Sequence, residues 1–350
     1  MFREAEDIFE PENQIDLTER KYAPQFIKYL SDVINIYENT LSKLFNETNT
    51  KEPSLDYKSR LQDLRSSLDS KLDPILTKLS AEGFNNYRSI IYILKQIPFM
   101  IARSIGNAEM EEIKEEAKGW ENLPRDQREE FRQARNENNI NGSKWQQEVS
   151  GLLFSLVNNP EAESVMDNFW NCLQRSYDFV DPALSKEAKI YKSGIISQTG
   201  FTLLMTKLGY EVFNATAEED ALGKVDLWLK KQNTNWQQGF TGIQIKTHGP
   251  VTTDIDANFV DENFITRMPV KKERKSAGKL LTTVEAYGSI CSALWIDLVQ
   301  KQSARIGDIE LRKPIFNPTT GALNTQMLER PEIQEQLESL QEVINKGEII

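Results

Sequence analysis

Gly223-Lys-Val-Asp-Leu-Trp-Leu229, followed by Gly242-Ile-Gln-Ile-Lys-Thr-His248, decides how the second half of this 350-residue chain is read. In the first run Val225, Leu227 and Leu229 alternate with Asp226 and Trp228; in the second Ile243 and Ile245 alternate with Gln244 and Lys246. Strand side chains alternate between faces, so each run buries one apolar face and presents one polar face. The polar residues between Lys230 and Gly239 read as the loop of a hairpin. Pairing sets Asp226 beside Gln244 and Lys246, the last two about 7 Å apart along one face. A carboxylate and an amide oxygen ligate a hard divalent cation, and a lysine beside them orients water.

These residues carry a resemblance. Asp226, a hairpin and then Gln244-Ile-Lys246 resembles the PD-(D/E)xK nuclease superfamily, in the Gln-x-Lys form of Mrr-type restriction endonucleases. Upstream, Gly194-Ile-Ile-Ser-Gln198, Leu203, Leu204, Leu208 and Gly209-Tyr-Glu-Val212 resemble the opening helix and first strand of that core. The resemblance covers about residues 190–300. It implies an α+β / α/β fold class: an all-helical N-terminal domain followed by a restriction-endonuclease-like αβββαβ core. In related nucleases a glutamate on the opening helix helps bind metal; by position its match here is Gln198, a departure from the pattern. The implied activity is a Mg2+-dependent DNA endonuclease, with Mn2+ as a substitute, in restriction, defence or repair. Asp226, Gln244 and Lys246 would be catalytic, with Asp226, Gln244, Gln198 and Asp220 around the metal. The alternative is a catalytically inactive nuclease-like fold that binds nucleic acid or serves as a scaffold.

Composition bounds the rest. Hydrophobic residues at 39% and charged residues at 27% describe a globular chain with ample core. Two cysteines, Cys172 and Cys291, are too few for a disulfide framework or a zinc site, and the lone His248 excludes mechanisms needing two histidines. Met1-Phe-Arg-Glu-Ala-Glu-Asp7 starts acidic rather than as a signal peptide, and Lys95, Gln96, Pro98 and Arg103 interrupt the apolar stretch 89–105. No membrane span and a cytoplasmic address follow as expectations. Net charge is −11, with 31 acidic and 22 basic side chains in residues 1–180 against 22 and 20 in residues 181–350. The acidity therefore belongs to the N-terminal half, away from the candidate site.

That half reads as helix. Phe26, Leu30, Val33, Ile34, Tyr37, Leu41 and Leu44 recur at spacings of three and four, as do Leu61, Leu64, Leu68, Leu72 and Leu79, with a kink at Pro74. Residues 109–139 read as exposed, charged helices with Leu123-Pro124 between them; Asn139-Ile-Asn-Gly-Ser143 reads as a break. Domains are expected at 1–181 (a helical bundle for interaction or positioning, with a homodimer through it), 182–312 (nuclease-like) and 313–350 (loop and helix). The opening helix of the second half is expected from Gly194 to Leu208, a short strand at 210–215, a turn over Glu218, Glu219 and Asp220, a fourth strand over 293–299 and a final helix over 332–344. Lys271, Lys272, Arg274 and Lys275, at the entrance to a helix running to about Tyr287, are candidates for DNA phosphate contacts, with His248 on the polar face beside Lys246.

Overall fold

The computed structural model describes residues 24–50, 56–81, 85–157, 159–223, 226–231, 240–246, 293–297, 305–306, 309–310 and 317–341, without 332, 336, 339 and 340. The chain divides into two units, Lys21–Lys192 and one that takes in Ser193–Ile350.

The first unit is helical: α1 (Pro24–Thr50), α2 (Tyr57–Ala81), α3 (Asn85–Glu116), α4 (Arg125–Leu156), α5 (Ala162–Val180) and the first two turns of α6 (Ser185–Lys207). Helical spacing forms its core. Phe26, Leu30, Val33, Ile34, Tyr37, Leu41 and Leu44 are buried along α1, and Leu64, Leu68, Leu72 and Leu79 along α2. Each contributes about 1.5–3 kcal/mol in apolar area removed from water. Both α2 and α3 run through an interior proline, Pro74 and Pro98. Proline removes the N–H owed to the carbonyl four residues before it, Leu94 in the case of Pro98. One residue earlier, the Ile93 carbonyl accepts the indole N–H of Trp145 at 3.0 Å. Asp181 caps the 3-10 turn Pro182–Leu184 by accepting the Ala183 N–H at 3.0 Å, and α6 follows directly.

Helix α3 ends in paired closing bonds, Gly119 N–H to the Lys114 carbonyl (3.0 Å) and Lys118 N–H to the Glu115 carbonyl (2.9 Å). Lys118 takes the left-handed position at φ 59°, which a lysine occupies at some cost. After the turn, α4 returns along α3. Trp120 packs edge-on against Phe131 (6.1 Å between ring centroids), Arg135 meets Glu111 at 3.5 Å, and Asn138 donates to Asn107 at 3.3 Å.

The break expected at 139–143 is absent: α4 is continuous from Arg125 to Leu156. Asparagine and glycine are poor helix formers, and here tertiary contacts override them. The Arg103 guanidinium donates to Asn139 Oδ1 (3.1 Å) and to the Tyr191 hydroxyl, and lies over the Tyr191 ring at 5.5 Å. A Cβ on Gly142 would stand 2.0 Å from Arg103 Nη1, so glycine is what lets the guanidinium pass.

Two buried hydroxyl pairs cross the same core. The Tyr37 hydroxyl and Ser176 Oγ are 2.9 Å apart, as are Ser104 Oγ and the Tyr177 hydroxyl. Burial raises the pKa of both tyrosines far above the ordinary phenol value.

In the second unit α6 continues to Lys207 and closes at Gly209, φ 87°. Strand β1 (Tyr210–Asn214) then pairs antiparallel with β2 (Leu227–Lys231), β2 antiparallel with β3 (Phe240–Lys246), and β3 parallel with β4 (Ala293–Asp297). A second ribbon joins β5 (Arg305–Ile306) and β6 (Ile309–Glu310), and α7 (Thr325–Leu328) precedes helical residues at 333–335 and 337–338. Residues 195–205 of α6 are buried on every side of the helix. At Thr199 and Gly200 the loop 317–322 lies against it: a Cβ on Gly321 (φ 75°) would come 3.0 Å from Thr199 Cγ2 and 3.1 Å from the Gly200 nitrogen. Asn317 shapes that loop, its Oδ1 accepting the N–H groups of Thr319 (2.8 Å) and Thr320 (3.0 Å).

The expected fold class is corrected. An α+β / α/β chain built on an αβββαβ core is not what the described residues form. They are mostly helical, and strand is confined to runs of two to seven residues. The physical reason is the reach of the helical period, which governs most of the described residues from 24 to 207, including the stretch expected to break. The opening helix also starts at Ser185 rather than Gly194. The helix expected between the third and fourth strands lies outside the described residues.

Two outcomes test this packing. Gly142→Ala should destabilise by about 1–3 kcal/mol through displacement of the guanidinium. In an Arg103→Ala background the same change should be neutral or stabilising, since alanine is the better helix former by about 1 kcal/mol. A denaturant double-mutant cycle measures the coupling. The tyrosines set a pH dependence: their folded pKa values lie above the unfolded value of about 10, so the stability they contribute is whole below that pH and falls as pH rises past it. Combining Tyr37→Phe with Tyr177→Phe should flatten the alkaline loss of stability in urea titrations between about pH 9 and 11.

Candidate functional site

The segment leading into Asp226 is fixed by a reciprocal cap. Thr216-Ala-Glu-Glu219 has the Thr-x-x-Glu spacing of a capping box. Glu219 N–H donates to Thr216 Oγ1 at 3.1 Å, and Thr216 N–H donates to Glu219 Oε2 at 2.8 Å. The same Oε2 accepts the indole N–H of Trp228 at 3.2 Å. Glu219 and Trp228 are both fully buried. A buried carboxylate is tolerable only when donors surround it, and here the turn and β2 supply them. The turn continues as a π-helical segment, Glu219–Gly223, and the chain reaches Asp226 three residues later.

Asp226 is half-buried at the head of β2. Its backbone carbonyl accepts from Gln198 Nε2 at 3.5 Å, bringing together two expected site residues 28 positions apart. Gln198 itself is 6% exposed, inside the enclosed stretch of α6. The hairpin register pairs Leu227 with Ile243; continued by one residue, it sets Asp226 level with Gln244. On the other edge of β3, Gln244 is the partner of Trp295 and Lys246 of Asp297. Asp297 is a carboxylate residue that the sequence reading did not bring to this place. Its signal was present in Ala293-Leu-Trp-Ile-Asp297, but only parallel pairing of β4 with β3 gives it Lys246 as neighbour.

Of the acidic run 218–220, Asp220 is the residue expected at the metal. Asp220 is half-exposed, and its N–H donates to the Thr216 carbonyl at 2.9 Å. The residue turned inward is Glu219, and the capping-box spacing was the signal that identifies it. Among the described residues there is no group of three or more His, Cys, Asp or Glu that could hold a metal ion. One cross-strand ion pair is described on this sheet, Lys230 with Glu211 at 3.4 Å between β2 and β1. Part-exposed, it contributes at most about 1 kcal/mol. His248, Lys271, Lys272, Arg274 and Lys275 lie outside the described residues. Among the described residues no helix is long and apolar enough to cross a membrane.

Compared with protein-family models, with curated proteins and with solved structures, the chain finds no match in any of the three.

The Glu219 cap is testable by itself. Glu219→Ala should cost roughly 2–4 kcal/mol, since it strands the Trp228 indole and the Thr216 N–H at once. Thr216→Ala should cost only about 1 kcal/mol as a lost N-cap. Urea unfolding gives both values. The Trp228 indole proton, assigned in NMR spectra through Trp228→Phe, should shift strongly in the first variant and little in the second.

Proposed function

We propose that the protein is a metal-dependent DNA endonuclease, acting in the cytoplasm in restriction, defence or repair. The reading rests on the Asp226, Gln244, Lys246 pattern. The observation that carries it is the meeting of Gln198 with Asp226, joined to a hairpin register that sets Asp226 level with Gln244. The donors suit magnesium, which is held by one or two carboxylates with phosphate and water completing its shell. Asp226 would hold it, with the amide oxygens of Gln198 and Gln244 and with Asp220 as a second acidic donor; manganese would substitute. When bound, the ion supplies Lewis acidity toward a phosphodiester oxygen. The Lys246 ammonium would orient the attacking water and stabilise charge that develops on the phosphate. His248, Lys271, Lys272, Arg274 and Lys275 would neutralise the DNA backbone on either side. A homodimer through the helical unit belongs to the same proposal.

A second reading, a non-catalytic nucleic-acid-binding or scaffold subunit, draws on the same contact. The Gln198 amide donates to a backbone carbonyl, which is a structural use of a side chain standing where related nucleases carry a metal-binding glutamate.

Cleavage of linear, supercoiled and branched DNA with magnesium separates the two readings. Asp226→Asn and Lys246→Ala should each abolish it without loss of fold; wild-type activity in either variant removes the assignment. Gln198→Glu reads the metal directly. Without metal it brings a carboxylate against the Asp226 carbonyl in place of a donor, and should lower stability by about 1–3 kcal/mol. Manganese should then raise the melting temperature of the variant more than that of the wild type. A variant that stays equally unstable with and without manganese would show that no ion sits at Gln198.

A further inference from the structure

The strongest surface outside the candidate site lies on α2 and α3. Most large apolar side chains of these helices are buried, yet Tyr92 and Phe99 are 42% and 45% exposed. Seven residues apart, they fall on one face of α3, separated by about 10 Å along the axis. Each ring carries a guanidinium. Arg65, from α2, lies 4.4 Å from the Phe99 ring centroid, and Arg88 lies 5.8 Å from that of Tyr92 while donating to its hydroxyl at 3.1 Å. Arg65 is exposed, and among the described residues it forms no ion pair. Between the two rings, Lys95 is held by Asp69 at 3.0 Å and by Asp73. A guanidinium thus stands at each ring, and between the rings one ammonium meets two carboxylates, which leaves these five groups at a net +1.

Local charge agrees. Residues 57–108 hold eight basic and four acidic side chains, a net of +4, within a half of the chain whose net charge is −9. No acidic residue occurs between Glu82 and Glu109. An exposed aromatic pair would suit an apolar protein partner as well, but such a partner gives no reason for guanidinium groups over both rings or for the local reversal of charge. A polyanion with flat, stackable faces accounts for both.

We propose that the face of α2 and α3 bearing Tyr92, Phe99 and Arg65 binds single-stranded nucleic acid, with bases stacked on the two rings and phosphates drawn to the flanking guanidinium groups. A single strand fits better than a duplex, because stacking on a side chain needs bases free of their own neighbours. The surface lies wholly within the unit Lys21–Lys192, and the proposal holds whether or not the chain cleaves DNA.

The test is fluorescence anisotropy of a labelled oligothymidylate with the full chain, in EDTA so that no cleavage enters. Wild type should bind, with a salt-dependent affinity. Phe99→Ala and Tyr92→Ala should each weaken binding roughly tenfold, in line with about 1–3 kcal/mol per stacked base. Phe99→Trp should keep it. Arg65→Ala should weaken it and lower the slope of log affinity against log salt. These side chains are exposed, so circular dichroism should report an unchanged fold. The proposal is overturned if wild type does not bind the oligonucleotide, if it binds an acidic peptide instead, if a duplex of equal length competes as well as the single strand, or if the alanine variants at both rings bind like wild type. Failure of magnesium-dependent cleavage alongside intact, ring-dependent binding would count against the nuclease reading alone.

Discussion

One buried carboxylate governs the approach to the candidate site. Glu219 has no exposure to solvent, and ionised carboxylates are costly there unless donors converge on them. Its Oε2 takes one donor from the backbone of Thr216 and one from the Trp228 indole. The bonds join a turn to a strand, so the placement of residues 216–223 and the start of β2 are a single arrangement. Asp226 stands between the two anchored points and is further held through its carbonyl by Gln198. Any chemistry at Asp226 inherits its geometry from those contacts.

A comparable dependence organises the helical unit. Arg103 reaches Asn139 and Tyr191, and Gly142 leaves the space it passes through. An asparagine-rich stretch that favours breaks along an isolated chain is thereby kept helical, joining α4 into one run of 32 residues. Two hydroxyl pairs are buried in the same unit, Tyr37 with Ser176 and Tyr177 with Ser104. Buried polar groups of this kind fix which helix lies against which, because each donor matches few acceptors. Cys172 belongs to the same interior, where burial pushes its thiol up to about 12, well away from reactivity at neutral pH.

Charge divides differently from structure. The N-terminal half is acidic as a whole, yet residues 57–108 within it are net basic, and two of their guanidinium groups lie over exposed rings. Tyr92 and Phe99 are exposed on helices most of whose large apolar residues are buried. The second half is nearly neutral, with 22 acidic and 20 basic side chains.

The sequence by itself determined what depends on neighbours along the chain. Apolar residues at spacings of three and four marked α1 and α2, and alternation over 223–229 and 242–248 marked a hairpin whose strands fall at 227–231 and 240–246. The resemblance misjudged the balance of the fold: it implied an αβββαβ core after a helical domain, whereas helix extends through most of the described residues. Only the tertiary structure decided which distant groups meet. That Gln198 faces the Asp226 carbonyl, that Glu219 accepts the Trp228 indole, that Asp297 falls beside Lys246, and that Gly142 is needed by Arg103 are consequences of packing between separate segments. Periodicity tells a residue which side of its own element it occupies; the partner across the core is set by how the elements fill space and satisfy one another's polar groups.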